Sequence, residues 1–381
     1  MEHVNNRSKK VIPVCEPLLA GKELEYVTDC IKTNWISSSG KYIPEFEKCF
    51  AEYCGCKHGI SVCNGTAALH LALESLKIGK GDEVIVPAFT MMSSVFAIIY
   101  TGAKPVLVDS EPDTWNIDPG KIAEKVTKKT KAIMPVHIYG HPCDMDPIKE
   151  IAQDHDLYII EDAAEAHGAE YKDKKTGGLS DIACFSFYAN KIITTGEGGM
   201  VVTNDDVLAE RAASLRNLAF SKERRFQHVD IGYNYRMTNI QAAIGLAQFE
   251  RIEELIEKRR KNAKLYNSLL KDVAGLTLPV EKSYAKNVYW MYALTVDEMK
   301  YGMGRDELMK KLAEKGIETR AFFIPANKVN ALGDKGLFRG ESYPVAERLG
   351  EEGLYLPSGS GLKEEDIDYV CGMIDEIKKG V

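Results

Sequence analysis

With 381 residues, 45% hydrophobic and 28% charged, the chain is long enough for two domains and excludes fibrous and disordered classes by composition. The formal charge of −7 is made of interspersed signs, so no general nucleic-acid surface is expected; the longest basic run, Lys258-Arg259-Arg260-Lys261, follows Glu253, Glu254 and Glu257 and reads as a solvated helix face. No apolar run approaches the roughly 20 residues that cross a bilayer, Met1–Lys10 lacks the apolar core of a signal peptide, and nine scattered cysteines predict free thiols in a reducing cytoplasm, with no metal site and no membrane partner.

In chain order, short β-rich runs alternate with helical stretches from about residue 63 to 204, the pattern of an α/β domain on a mainly parallel sheet with right-handed crossovers. Strands are expected at 83–87, 105–109, 131–136, 157–162, 183–188 and 199–203, most of them buried on both faces. Helical spacing of apolar residues predicts helices at 66–76, 147–155 and 207–218, then one or two long helices over 240–269 that bridge to a second unit. That unit has expected strands near 288–296 and 318–323 and helices at 305–315 and 363–379. The expected division is a large α/β domain at 11–250 and a small α+β domain at 251–381.

Three short segments carry chemistry. Cys63-Asn64-Gly65-Thr66-Ala67-Ala68-Leu69 is a small-residue turn running into a helix, where free N–H groups and the positive dipole end suit a phosphate; an ordinary N-cap by Asn64 or Thr66 explains it equally well. Ile159-Ile160-Glu161-Asp162 delivers a carboxylate at a strand's C-terminal end, where open α/β sheets collect ligands. Asp162 there could keep a pyridinium nitrogen protonated, or serve as a cap or a strand-end ion pair, and Glu165 could reach the same ligand or face solvent. Phe185-Ser186-Phe187-Tyr188-Ala189-Asn190-Lys191 places a lysine between an apolar strand and a glycine-rich turn, although most lysines are simply surface residues. Desolvation and a nearby cation would lower its pKa and free the amine as a nucleophile and proton carrier. Ser186, earlier on the same strand, could bind phosphate.

Phosphate turn, strand-end aspartate and post-strand lysine occur in the order found in fold-type I pyridoxal 5'-phosphate (PLP) enzymes, of the aspartate aminotransferase-like fold. From Val11 to about Ile377 the chain resembles the DegT/StrS family of PLP-dependent nucleotide-sugar aminotransferases, on the stretches GDEVIVPAFT, TGAKPVLVD, VHIYGHPCDMDPI, EDAAEAHGAEY, NKIITTGEGGMVVTND and GYNYRMTNIQAAIGLAQ. Within the family NWISSSGKY, HIYGHPCDMD and GYNYRMTN are most similar to the branch of GDP-perosamine synthase-like sugar 4-aminotransferases. The resemblance implies that Lys191 forms the internal Schiff base, that Asp162 pairs with the ring nitrogen, that Glu165 approaches the ring hydroxyl, and that Gly65, Thr66 and Ser186 hold phosphate. It also implies a homodimer in which Asn234, with Arg236, reaches into the neighbour's site; read locally, Gly232-Tyr233-Asn234 is also good turn chemistry.

The expected donor is L-glutamate and the expected acceptor a nucleotide-linked 4-keto-6-deoxyhexose such as GDP-4-keto-6-deoxymannose, with other UDP- or dTDP-linked 3- or 4-keto sugars as the alternative. Two places depart from the family's pattern. Met91 stands where many relatives stack an aromatic ring on the cofactor, and Arg320-Ala321 and Pro325-Ala326-Asn327 stand where relatives read Arg-Pro and Pro-x-His. Arg320 and Asn327, with Trp35, are candidate substrate contacts, although Trp35 could equally pack a loop. Lys191 argues against a sugar 3-dehydrase, which has histidine there, and the lack of an early G-x-G-x-x-G argues against a nicotinamide enzyme. A non-catalytic PLP-binding regulator is the reading from another class. His137 and His141 read as core histidines or as pocket residues.

Overall fold

Valine- and isoleucine-rich runs suit a pleated surface covered on both sides, and they form the centre of a sheet in a computed structural model that describes residues 11–224 and 226–380. Met1–Lys10, read above for the absence of a leader core, lies outside the described residues. The strands are β1 His58–Val62, β2 Glu83–Pro87, β3 Lys104–Val108, β4 Thr130–Ile133, β5 Tyr158–Asp162, the short β6 Glu170–Tyr171 and β7 Lys174–Lys175, β8 Ile182–Ser186 and β9 Gly199–Thr203. Seven of them form one sheet in the order β1-β9-β8-β5-β4-β2-β3. All its neighbours pair in parallel except β9, which runs against both β1 and β8. Strand β1 was not expected: His58 and Gly59 weaken the local pattern, and five rungs of pairing with β9 make it a strand.

Of the one or two helices expected over 240–269 the chain forms two, Asn239–Phe249 and Ile252–Leu270, the first opened by a Thr238–Gln241 capping box. The basic run on the second helix corrects the expectation of a solvated face. Arg259 is only 2% exposed and Arg260 ion-pairs with Glu281, so the wet face keeps Lys258 and Lys261 alone.

Four further strands, β10 Leu276–Thr277, β12 Tyr292–Val296, β13 Arg320–Ala321 and β14 Gly353–Leu356, form an antiparallel sheet in the order β10-β12-β14-β13, while β11 Ala285–Lys286 pairs with β6. The antiparallel sheet has its own core, where Tyr266 and Tyr292 stack at 4.4 Å, and Ile12 joins it by bridging to Ile317. Strand β12 begins later than the pattern at 288–296 predicts. The N–H groups of Val288 and Trp290 donate instead to Gly140 and Tyr139 across the junction. Gly140, at φ +99°, permits that approach, since a Cβ would lie 2.9 Å from the Trp290 nitrogen. Trp290 is thereby held at the cleft.

Among the described residues no helix is long and apolar enough to cross a membrane, no cluster of metal-ligating side chains occurs, and all nine cysteines are free.

Candidate active site

The C-terminal ends of β1, β5 and β8 converge on a cavity of about 410 Å³, within the range of small-molecule sites. Gly65, Thr66, Met91, Asp162, Glu165, Ser186 and Lys191, drawn from across most of the large sheet's sequence, all line it.

At one end, the helix Gly65–Ser75 starts against β8. Asn64 caps it by accepting from the Ala67 N–H at 2.8 Å, so the capping reading holds for Asn64, and the Gly65 and Thr66 N–H groups have no intrahelical acceptor. Any Cβ at position 65 would stand 2.7 Å from the Ser186 Cβ, and only glycine lets the helix end and the Ser186 hydroxyl share one anion-sized corner. The Thr66 hydroxyl donates to Ser93 Oγ at 2.9 Å.

At the other end, Glu161 and Asp162 leave β5 on opposite sides. Glu161 takes hydrogen bonds from the N–H groups of Gly177 and Leu179, from Ser180 and from His137; burial pushes its pKa up, but these donors outweigh it and hold the carboxyl low. His141 is likewise a core group, its pKa lowered to about 4 by burial, and neither histidine lines the cavity. Asp162 faces the cavity and accepts from Ser94 Oγ at 2.7 Å and the Ala164 N–H at 3.2 Å. Burial raises its pKa and outweighs these bonds and the positive field of Lys191, so a cationic group brought beside it would favour its charged form.

Lys191 lies between these ends. Its Nζ is 3.4 Å from the centroid of the Trp290 ring and 4.0 Å from Glu165 Oε1. Burial lowers the amine's pKa and raises that of Glu165, whose other oxygen accepts from the Tyr139 N–H at 2.7 Å. A desolvated amine, an anion corner and a buried carboxylate facing the cavity fit the aldehyde, phosphate and pyridine nitrogen of PLP. Met91, half exposed, lines the cavity.

Trp35, Asn234, Arg236, Arg320 and Asn327 do not line this cavity within one chain. Trp35 borders a separate cleft with Asp29 and Lys41. Arg320 pairs with Glu318, and the Asn327 amide donates to Glu347 at 2.7 Å. Asn234 is extended, bridged to Asn217, so the turn reading is replaced by a strand-like one in which Tyr233 and Tyr235 pack on His70 and Asn234 is exposed. Sequence reasoning missed Trp290, Tyr355, Phe323, Asn190 and Ser94. For Ser94 a signal was present, since it lies in the first turn of the helix that Met91 precedes; the others are brought in by the second unit or by the lysine turn itself.

The profile of the DegT/DnrJ/EryC1/StrS aminotransferase family matches residues 17–375. The chain belongs to that family. It is 48% identical to the GDP-perosamine synthase of Caulobacter vibrioides over 96% of this chain and 98% of that protein. Among solved structures it is similar to DesV of S. venezuelae, in complex with a ketimine intermediate, with a TM-score of 0.89 and 35% identity over 94% of this chain and 95% of that one. The PLP form of Spr1654 from Streptococcus pneumoniae matches with a TM-score of 0.91 and 27% identity over 97% and 99% of the two chains. As a DegT/DnrJ/EryC1/StrS protein the chain is an enzyme of the fold-type I α/β class, PLP-dependent, and transfers an amino group to a nucleotide-linked keto sugar.

Proposed function

We propose that the enzyme takes the amino group of L-glutamate and places it on C4 of GDP-4-keto-6-deoxymannose, as a perosamine-forming 4-aminotransferase. The observation that carries the chemistry is the meeting of Lys191, Glu165, Asp162 and the Gly65 helix end in one cavity. The choice of sugar rests on the 48% identity to a GDP-perosamine synthase.

Lys191 would hold the cofactor, with Gly65, Thr66 and Ser186 on its phosphate, Asp162 at its ring nitrogen, Glu165 at its ring hydroxyl and Met91 over its face. Bound PLP supplies an aldehyde carbon and an electron-withdrawing ring. Asp162 holds the proton at the ring nitrogen. Lys191, with its amine free, moves protons to and from the substrate carbon at Nζ, a task suited to a tethered group of lowered pKa. Burial by Trp290, Phe323 and Tyr355 keeps bulk water from that amine. The donor gives up its nitrogen and a hydrogen, takes oxygen from water and leaves as its keto acid; the sugar's ketone carbon releases its oxygen as water and gains that nitrogen and hydrogen. Nine unpaired thiols support a reducing cytoplasm as the setting.

The assay supplies L-glutamate with GDP-4-keto-6-deoxymannose and reads 2-oxoglutarate and the product's mass. The expected kcat/KM exceeds that for UDP- or dTDP-linked keto sugars at least about tenfold. Equal or better turnover of a UDP or dTDP substrate would overturn the sugar assignment.

The working unit is a homodimer in which Asn234 and Arg236 of one chain complete the site of the other, with Trp35, Arg320 and Asn327 on the sugar-nucleotide side. The exposed, strand-like presentation of Asn234 supports it, as do the exposed Phe226, Val229 and Ile231 nearby. Lys191→Ala and Asn234→Ala chains, each inactive alone, should then recover activity when mixed as subunits, to about a quarter of wild type, because each heterodimer has one intact site. Mixtures as inactive as their parents would exclude sharing through Asn234.

A further inference from the structure

Arg259 stands out as a fully buried guanidinium on the helix Ile252–Leu270, none of whose six hydrogen bonds reaches a carboxylate. Nε donates to Ser360 Oγ at 3.2 Å, and Nη1 to the carbonyls of Trp290 and Ser358. Nη2 reaches Cys15 Sγ and the Asn190 carbonyl at 3.4 Å and the Lys191 carbonyl at 3.5 Å. The Asn190 carbonyl is also bound by the Trp290 indole N–H at 2.9 Å. A guanidinium without a carboxylate is an expensive way to fill a core position, and an apolar side chain would pack the helix at lower cost. What an apolar residue cannot do is tie together the lysine turn, the tryptophan that covers the lysine amine and the 358–360 loop. Only a planar fork has donors for all three at once.

We infer that Arg259 is a positioning residue for Lys191: it fixes the Asn190–Lys191 turn and Trp290 against each other, and it sets a permanent positive charge behind the lysine. The inference rests on the role proposed for Lys191. The charged and titratable groups facing the Lys191 amine are Glu165 and Asp162, which raise its pKa, Arg259, which lowers it, and Cys15, which raises it; burial dominates them all. His167 is buried, and desolvation lowers its pKa to about 3, so it adds no charge of its own.

The test acylates the PLP-free full-length chain with acetic anhydride across a pH series and reads the Lys191 peptide by mass spectrometry. In Arg259→Met the midpoint should rise by about one pH unit, and in Arg259→Lys, which keeps the charge, by less than about 0.3. One midpoint shared by all three proteins overturns the inference. Should Arg259→Met not fold, Arg259→Lys decides: without the fork the turn relaxes, and borohydride trapping of PLP on Lys191 should slow at least about tenfold with the thermal midpoint retained. Trapping at the wild-type rate overturns the inference. A wild-type chain that acylates with a lowered midpoint yet takes no PLP on Lys191 would instead overturn the role of Lys191, leaving the Arg259 effect in place.

Discussion

Lys191→Ala should fold, bind PLP without a covalent link, and turn over at least about a thousandfold more slowly than wild type, a loss of about 4 kcal/mol in transition-state stabilisation. The magnitude follows from losing the nucleophile and the proton carrier together, since one amine performs both tasks. Without cofactor the variant should be at least as stable as wild type, because burial of this amine beside an aromatic ring, 4.0 Å from Glu165, disfavours its charged form. Calorimetry of the PLP-free proteins and single-turnover assays check both halves. Turnover within tenfold of wild type would remove Lys191 from the mechanism.

Asp162→Asn should leave the fold intact, because Ser94 can still donate to the remaining amide oxygen. It should lower kcat by about 10²–10³, the scale of breaking a buried ion pair, and weaken PLP binding at least about tenfold. The reason is protonation. Burial already disfavours the charge on Asp162, and a cationic ring nitrogen is the partner that would restore it; an amide cannot hold that proton in place. A variant with kcat within threefold of wild type would show that the carboxylate only ends the strand.

How far the sequence displays this site depends on how local each part is. Asp162 and Lys191 sit where a strand stops, and a strand stop is written in a few consecutive residues: an apolar run, then a small or charged residue, then a turn; Gly65 is legible in the same local way, from a small-residue turn that enters a helix. Each alone had an ordinary explanation, and for Asn64 the ordinary explanation also holds; their common order along the chain gave them meaning. Trp290 had no such signature. Its place over the lysine depends on Val288 and Trp290 bonding to Tyr139 and Gly140 across the junction, a long-range pairing that no window of sequence contains. Arg259 was misread for the same reason, since a charged residue in a charged run looks solvated until the helix is seen to turn that one position toward Lys191 and Ser358. Strand β1 emerges from pairing with β9 and not from its own residues. The large sheet was legible because strands such as β2 and β9 are buried on both faces and so are mostly apolar, whereas the second unit's β10 and β13 are two-residue edges whose limits are set by partners.

The most direct measurement is peptide mapping by mass spectrometry after wild-type chain, loaded with PLP, is reduced with borohydride. The account predicts a pyridoxyl adduct on the peptide containing Lys191, with the visible absorbance lost on reduction. An adduct on a different lysine, or none, would contradict it.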